Sequence, residues 1–204
     1  SDVYKRQAVG SEAMEDSTVA AENTAVGLGA LNKETVGNRS VAFGYGALYY
    51  QIHGSTNGET GNTGLGFQAG YKNVTGANNT YVGLRAGQGS ATPSNNSHNT
   101  AVGFNALLDI TTGERNTVIG ERAAHNLTTG GYNVVIGGGS ATTTTDVDQC
   151  VIVGYGACAD GGVTSAADKT VAIGYDCLKN LTSGAGNIGV GYFAGGSITT
   201  SNYN

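Results

Sequence analysis

Three histidines, three cysteines and a scatter of aspartates are the residues of this chain best equipped for chemistry, and their spacing does not assemble them. A general base needs a carboxylate or a nucleophile held beside it. His53 and His98 stand in two long insertions, His125 follows the pair Ala123 and Ala124, and no acid or nucleophile recurs next to any of them. They read as loop and surface histidines, so no enzyme, no catalytic residue and no cofactor is expected. Asp146, Asp148, Asp160 and Asp168 offer the oxygen ligands that suit Ca²⁺. The glycine and aspartate phrases of calcium-binding solenoid repeats are missing, and no metal site is expected. Cys150, Cys158 and Cys177 fit neither a disulfide framework nor zinc-ligand spacing. Cys158 and Cys177 fall where other repeats carry Ala, Leu or Gly, which makes them small buried space-fillers, with a cross-coil disulfide as the alternative.

The elements that would position a site follow from composition and repetition. Gly 35 in 204 residues, with no three-residue period, excludes collagen and an ordinary helical domain, while 39% apolar residues exclude a disordered chain. Ten Lys and Arg against fifteen Asp and Glu leave a net charge of -5, which makes nucleic acid an unsuitable partner. No run of 18 apolar residues occurs, so no membrane insertion is expected of this stretch.

A short phrase closed by an aliphatic residue and Gly recurs along the chain: N-T-A-V-G at 23 to 27, N-T-Y-V-G at 79 to 83, N-T-V-I-G at 116 to 120, T-V-A-I-G at 170 to 174. The anchoring glycines are Gly10, Gly27, Gly44, Gly66, Gly83, Gly103, Gly120, Gly137, Gly154, Gly174 and Gly191. Most spacings are 17, and the others are 20 or 22. A fixed period with whole-loop insertions marks a solenoid, because insertions must bulge outward without shifting the register of stacked coils. The fold class expected is all-β, a parallel β-solenoid of about eleven coils of 17–22 residues over 8 to 204.

Positions are counted here from each anchoring Gly. The -1 column is aliphatic or aromatic (Val26, Phe43, Leu65, Ile119) and the -3 column is β-branched throughout (Thr24, Val41, Thr63, Val134), the signature of a short strand. The aliphatic -1 column is read as the coil interior, with the -3 column beside it. Alternation then turns the -2 column outward. Its Ala25, Ala42, Ala101, Val118, Val135, Ile152 and Ala172 form an uncharged stripe, read as the interface of a parallel homo-oligomer, most simply a homotrimer. The +3 column, from Ala13 to Ala194, is small throughout and reads as a tight inner corner. The -4 column opens most strands with Asn, as at Asn62, Asn79 and Asn99, and stacked amides there would form a hydrogen-bonded ladder. The +1 column carries Tyr45, Phe67, Phe104, Tyr155, Tyr175 and Tyr192, rings that would either stack on the sugars of a ligand or pack against a neighbouring chain. Loops 49 to 61, 88 to 98 and 158 to 169 are alternative contact sites.

R-S-V-A-F-G-Y-G-A at 39 to 47 and K-T-V-A-I-G-Y-D-C at 169 to 177 resemble the head repeats of YadA-like trimeric autotransporter adhesins. N-T-A-V-G-F-N-A-L at 99 to 107 is similar to repeats of phage tail-fibre proteins. The resemblance implies a left-handed β-roll, trimerised, on the outside of a cell or virion, binding a host surface glycan or protein. The coil is longer than in the adhesin head, which favours the tail-fibre variant. The opening S-D-V-Y-K-R-Q fits no column and looks like a translated sequencing adaptor, so residues 1 to 7 are expected to be non-native and the chain a piece of a longer array.

Two other solenoid classes fit the columns less well. Hexapeptide acyltransferases place an aliphatic residue at every sixth position, which a 17-residue period breaks. An ice-binding solenoid needs an outward grid of Thr, whereas the Thr of the N-T phrase, on the reading above, shares the core face and gives way to Val134, Val151, Val171 and Ile188. The run from Thr142 to Thr145 occurs once.

Overall fold

The structure, a computed structural model, describes residues 5–53, 58–91 and 93–204. Residues 1–4 of the expected adaptor segment, and 54–57 and 92 of two insertion loops, lie outside the described residues. One parallel sheet runs the length of the molecule: β1 (Gln7–Val9), β2 (Thr24–Val26), β3 (Val41–Phe43), β4 (Thr63–Leu65), β5 (Thr80–Val82), β6 (Thr100–Val102), β7 (Thr117–Ile119), β8 (Val134–Ile136), β9 (Val151–Val153), β10 (Val171–Ile173) and β11 (Ile188–Val190), paired strictly in chain order. Each strand supplies positions -3, -2 and -1 of one coil, and the register never slips: Thr100 faces Thr117, Ala101 faces Val118, Val102 faces Ile119. The all-β parallel solenoid of eleven coils is therefore present, about 50 Å long at ~4.8 Å per strand. Gln7, the last residue of the expected adaptor segment, takes the -3 place of β1 opposite Thr24.

The anchoring Gly ends each strand because no other residue fits there. At Gly120, φ is +137° and a Cβ would stand 2.7 Å from the carbonyl carbon and oxygen of Gly137 in the next coil. Its N–H donates to the carbonyl of Val102 in the coil before, at 2.9 Å. The +3 residue then closes a tight turn, as Ala123 donates to the Gly120 carbonyl at 3.3 Å. The small +3 column is buried along the array, from Ala30 to Cys177, as its composition predicts. The residues at +2, +4 and -5 take left-handed backbone in coil after coil: Arg122 at 53°, Ala124 at 46° and Tyr132 at 60° in one of them. Side chains disfavour that region by about 1–2 kcal/mol each. Backbone hydrogen bonds from coil to coil, such as Leu107 donating to the Ala123 carbonyl at 3.0 Å, hold them in it.

Asn at -4 forms the expected ladder, and it lies inside the coil. Asn99 Oδ1 accepts from the backbone N–H of Asn116 at 2.9 Å and from its Nδ2 at 3.0 Å. Asn116 Nδ2 also donates to the carbonyl of Gly130 at 2.9 Å, tying the strand opening to the chain ten residues past Gly120. The rungs continue to Asn133, whose Oδ1 accepts from the N–H of Cys150. Where the interior departs from apolar packing, most polar atoms are paired, although Asn32 Oδ1 and Asn105 Oδ1 are buried without a hydrogen-bond partner. The buried Glu34 carboxylate accepts from the N–H groups of Val36 and Gly37 and from Gln51 Nε2, and Gln51 Oε1 accepts from Asn62 Nδ2.

Tyr81 shows how the core trades volume. It fills the -2 place that Gly64 and Ala101 hold in the adjacent coils, and Gly70 and Gly87 stand at +4 where other coils carry Leu31, Leu48 or Leu107. A Cβ on Gly70 would come within 2.7 Å of the Tyr81 ring. The Tyr81 hydroxyl, raised well above the ordinary tyrosine range by burial, donates to Asn96 Oδ1. Tyr81→Phe keeps the packing and removes that donor, so it is expected to cost about 1–2 kcal/mol. In a chain of this size that amounts to roughly 2–8 °C in a thermal melt followed by circular dichroism.

Candidate functional surface

The expected interface residues are not on the surface. Ala25, Ala42, Ala101, Val118, Val135, Ile152 and Ala172 are all buried within the single chain, where they form the inner wall of the sheet. The physical reason is the Asn ladder: -4 and -2 lie two residues apart on a strand and share a face. An interior ladder at -4 therefore turns -2 inward, and -3 and -1 point out. Small Ala and Gly at -2 suit the narrow interior, where the +3 alanines and +4 leucines approach. That composition was the signal available in the sequence.

The outward face of the sheet thus carries apolar side chains as well. Phe43, Leu65, Ile119, Ile136, Ile173 and Val190 of the -1 column are exposed, as are Val41 and Ile188 of the -3 column. Thr24, Thr63, Thr80, Thr100 and Thr117 stand in the -3 column of the same outward face, half-buried between neighbouring strands. The reading of these threonines as core slots, used above against an ice-binding role, is overturned with the phase of the strand.

Immediately past the glycine turn, the +1 rings are exposed, and most of them stack on one another. Tyr45 lies on Phe67 with centroids 5.0 Å apart, Tyr155 on Tyr175 at 5.4 Å, and Tyr175 on Tyr192 at 5.6 Å. Phe104 is exposed with Leu84 in the coil before it. Tyr49, Tyr50 and Tyr71 add a second cluster that sequence reading did not single out, its rings 4.9 to 5.3 Å apart. Burial, and then the neighbouring Tyr50, hold the Tyr71 hydroxyl above its usual range.

Cys150, Cys158 and Cys177 are buried free thiols; burial pushes Cys150 up to about 11 and also raises Cys158 and Cys177. Asp146 Oδ1 accepts from the N–H of Ser165 and Asp168 Oδ1 from that of Asp148, so these acids brace the loop around the short 3₁₀ turn Ser165–Ala167. Burial raises the Asp168 carboxyl above the usual carboxylate range. His125 Nδ1 lies 2.6 Å from Asn126 Oδ1, and His98 sits at a left-handed -5 position. Comparison with family models, with curated proteins and with solved structures returns no match to this chain.

Proposed function

We propose that the chain is the shaft or head of a homotrimeric surface fibre, as in a phage tail fibre or a bacterial adhesin, that attaches its bearer to a host or surface from the outside. The observation that supports this is the outward sheet face, a flat stripe two residues wide and eleven strands long with aliphatic and aromatic side chains exposed along it. It measures about 50 Å by 7 Å, on the order of 350 Å², the size of the largest and often functional apolar patch on a typical monomer. Cyclic symmetry about an axis parallel to the solenoid brings coil n of one chain against coil n of the next, so all coils use one contact. The interface residues of this reading are Phe43, Leu65, Ile119, Ile136 and Ile173 in place of the -2 column.

Light scattering on the purified chain tests it, with three times the chain mass as the expected result. A monomer at micromolar concentration overturns the fibre reading. It would favour the second one, an ice-binding surface, for which Thr63, Thr80, Thr100 and Thr117 supply four consecutive outward hydroxyl and methyl pairs at the strand spacing. Ice-crystal shaping by that monomer would be the next measurement.

A further inference from the structure

The +1 ladder is interrupted at one coil, and the interruption has the shape of a site. Tyr155 is 62% exposed and carries a ring partner on one side only, Tyr175 of the following coil. The preceding coil presents Gly138 at +1 and Gly139 at +2, two positions without side chains, and nothing lies within 4 Å of where a Cβ on Gly139 would stand. The next side chains along the column are Glu121 and Arg122, both exposed, and neither has an ion pair or side-chain hydrogen bond among the described residues. Between them lies a slot of about 140 Å³ lined by Glu121, Arg122, Gly138, Gly139, Thr142 and Tyr155.

Two strand spacings, about 9.6 Å, separate the Tyr155 coil from the Glu121 coil. A six-membered sugar ring lying ~4 Å from the free tyrosine face occupies about half that gap. Its C–H edge meets the electron-rich face of the ring. Its hydroxyls then face an acceptor in Glu121, a planar donor in Arg122 and a hydroxyl in Thr142. Six coils earlier Tyr45 also stacks on Phe67 on one side only, but there the preceding coil presents Leu28 at +1, where Tyr155 faces Gly138, so its side chain fills the place that is open beside Tyr155. The intervening coils carry Gln68, Arg85 and Asn105 at +2 and do not repeat the slot.

We propose that the slot beside Tyr155 is a pyranose subsite for a neutral glycan. The proposal deepens the fibre reading by naming the ligand class, yet it stands on the slot and not on the oligomeric state. The test is binding of the full chain to a broad array of immobilised glycans, with solution mass and thermal melt measured on the same samples. At least one neutral glycan is expected to bind. Gly138→Leu, which fills the slot with the side chain already present at Leu28 and Leu84, and Tyr155→Ala are each expected to weaken it about three- to tenfold, with melt and mass unchanged. No binding across the array, or binding undiminished in both variants, overturns the proposal. Trimeric protein without glycan binding defeats this proposal alone, and monomeric protein with glycan binding defeats the trimer alone.

Discussion

Gly120→Ala is expected to break the solenoid at its seventh coil, with a loss above about 4 kcal/mol, or roughly 8–16 °C in the melt of a chain this long. Two penalties combine. The backbone at Gly120 has φ +137°, a region that side chains avoid, and the new methyl would stand 2.7 Å from the Gly137 carbonyl. That obstacle is backbone, fixed by the hydrogen bonds of the coils on either side, so relief requires prising two coils apart. Gly139→Ala is the control in the neighbouring coil. Its φ of +63° is left-handed, but the Cβ meets open space, and it should cost only about 1–2 kcal/mol. Equal melts for the two variants would show that contact between stacked glycines does not set the coil spacing.

The repeat, the strand positions, the +3 corner and the Asn ladder were all legible in the sequence, because each is a column with one physical demand. Only glycine tolerates the turn at Gly120, only a small residue fits the corner at Ala123, and Asn at -4 repeats often enough to stack. The phase of the strand was not legible from hydrophobicity. In a three-residue strand such as Val134–Ile136 every position is apolar, so alternation offers no contrast and bulk points the wrong way: Ile136 is outside and Val135 inside. The deciding clue lay in small residues, in Ala25, Ala42 and Ala101, which a narrow interior demands and an outward face does not. The Tyr155 slot escaped notice for another reason. It is made by what Gly138 and Gly139 lack, and the stacking that leaves one ring face free is a property of neighbouring coils.

Val135→Asp with Ile152→Asp, and Ile119→Asp with Ile136→Asp, place the same charges on adjacent strands and are expected to have opposite outcomes. Val135 and Ile152 are buried in the single chain among alanines and leucines, with no Lys or Arg among the described buried residues to pair with a new carboxylate. Each unpaired buried charge costs several kcal/mol, and two of them consume most of the 5–15 kcal/mol that a domain of this kind possesses. The first pair is therefore expected to abolish the far-ultraviolet signature of the sheet and to leave no folded species of any mass. Ile119 and Ile136 face outward, where a carboxylate stays hydrated in the free chain and costs roughly 0.5 kcal/mol or less. In a trimer, the same substitution gathers like charges from three chains around one axis and removes the apolar contact. The second pair is expected to keep the far-ultraviolet signature of the sheet, to melt lower only by what the lost trimer contact contributed, and to run as a folded monomer by light scattering. A folded protein from the first pair would refute the inward phase of the strands. A trimer from the second pair would place the interface on some other face of the solenoid.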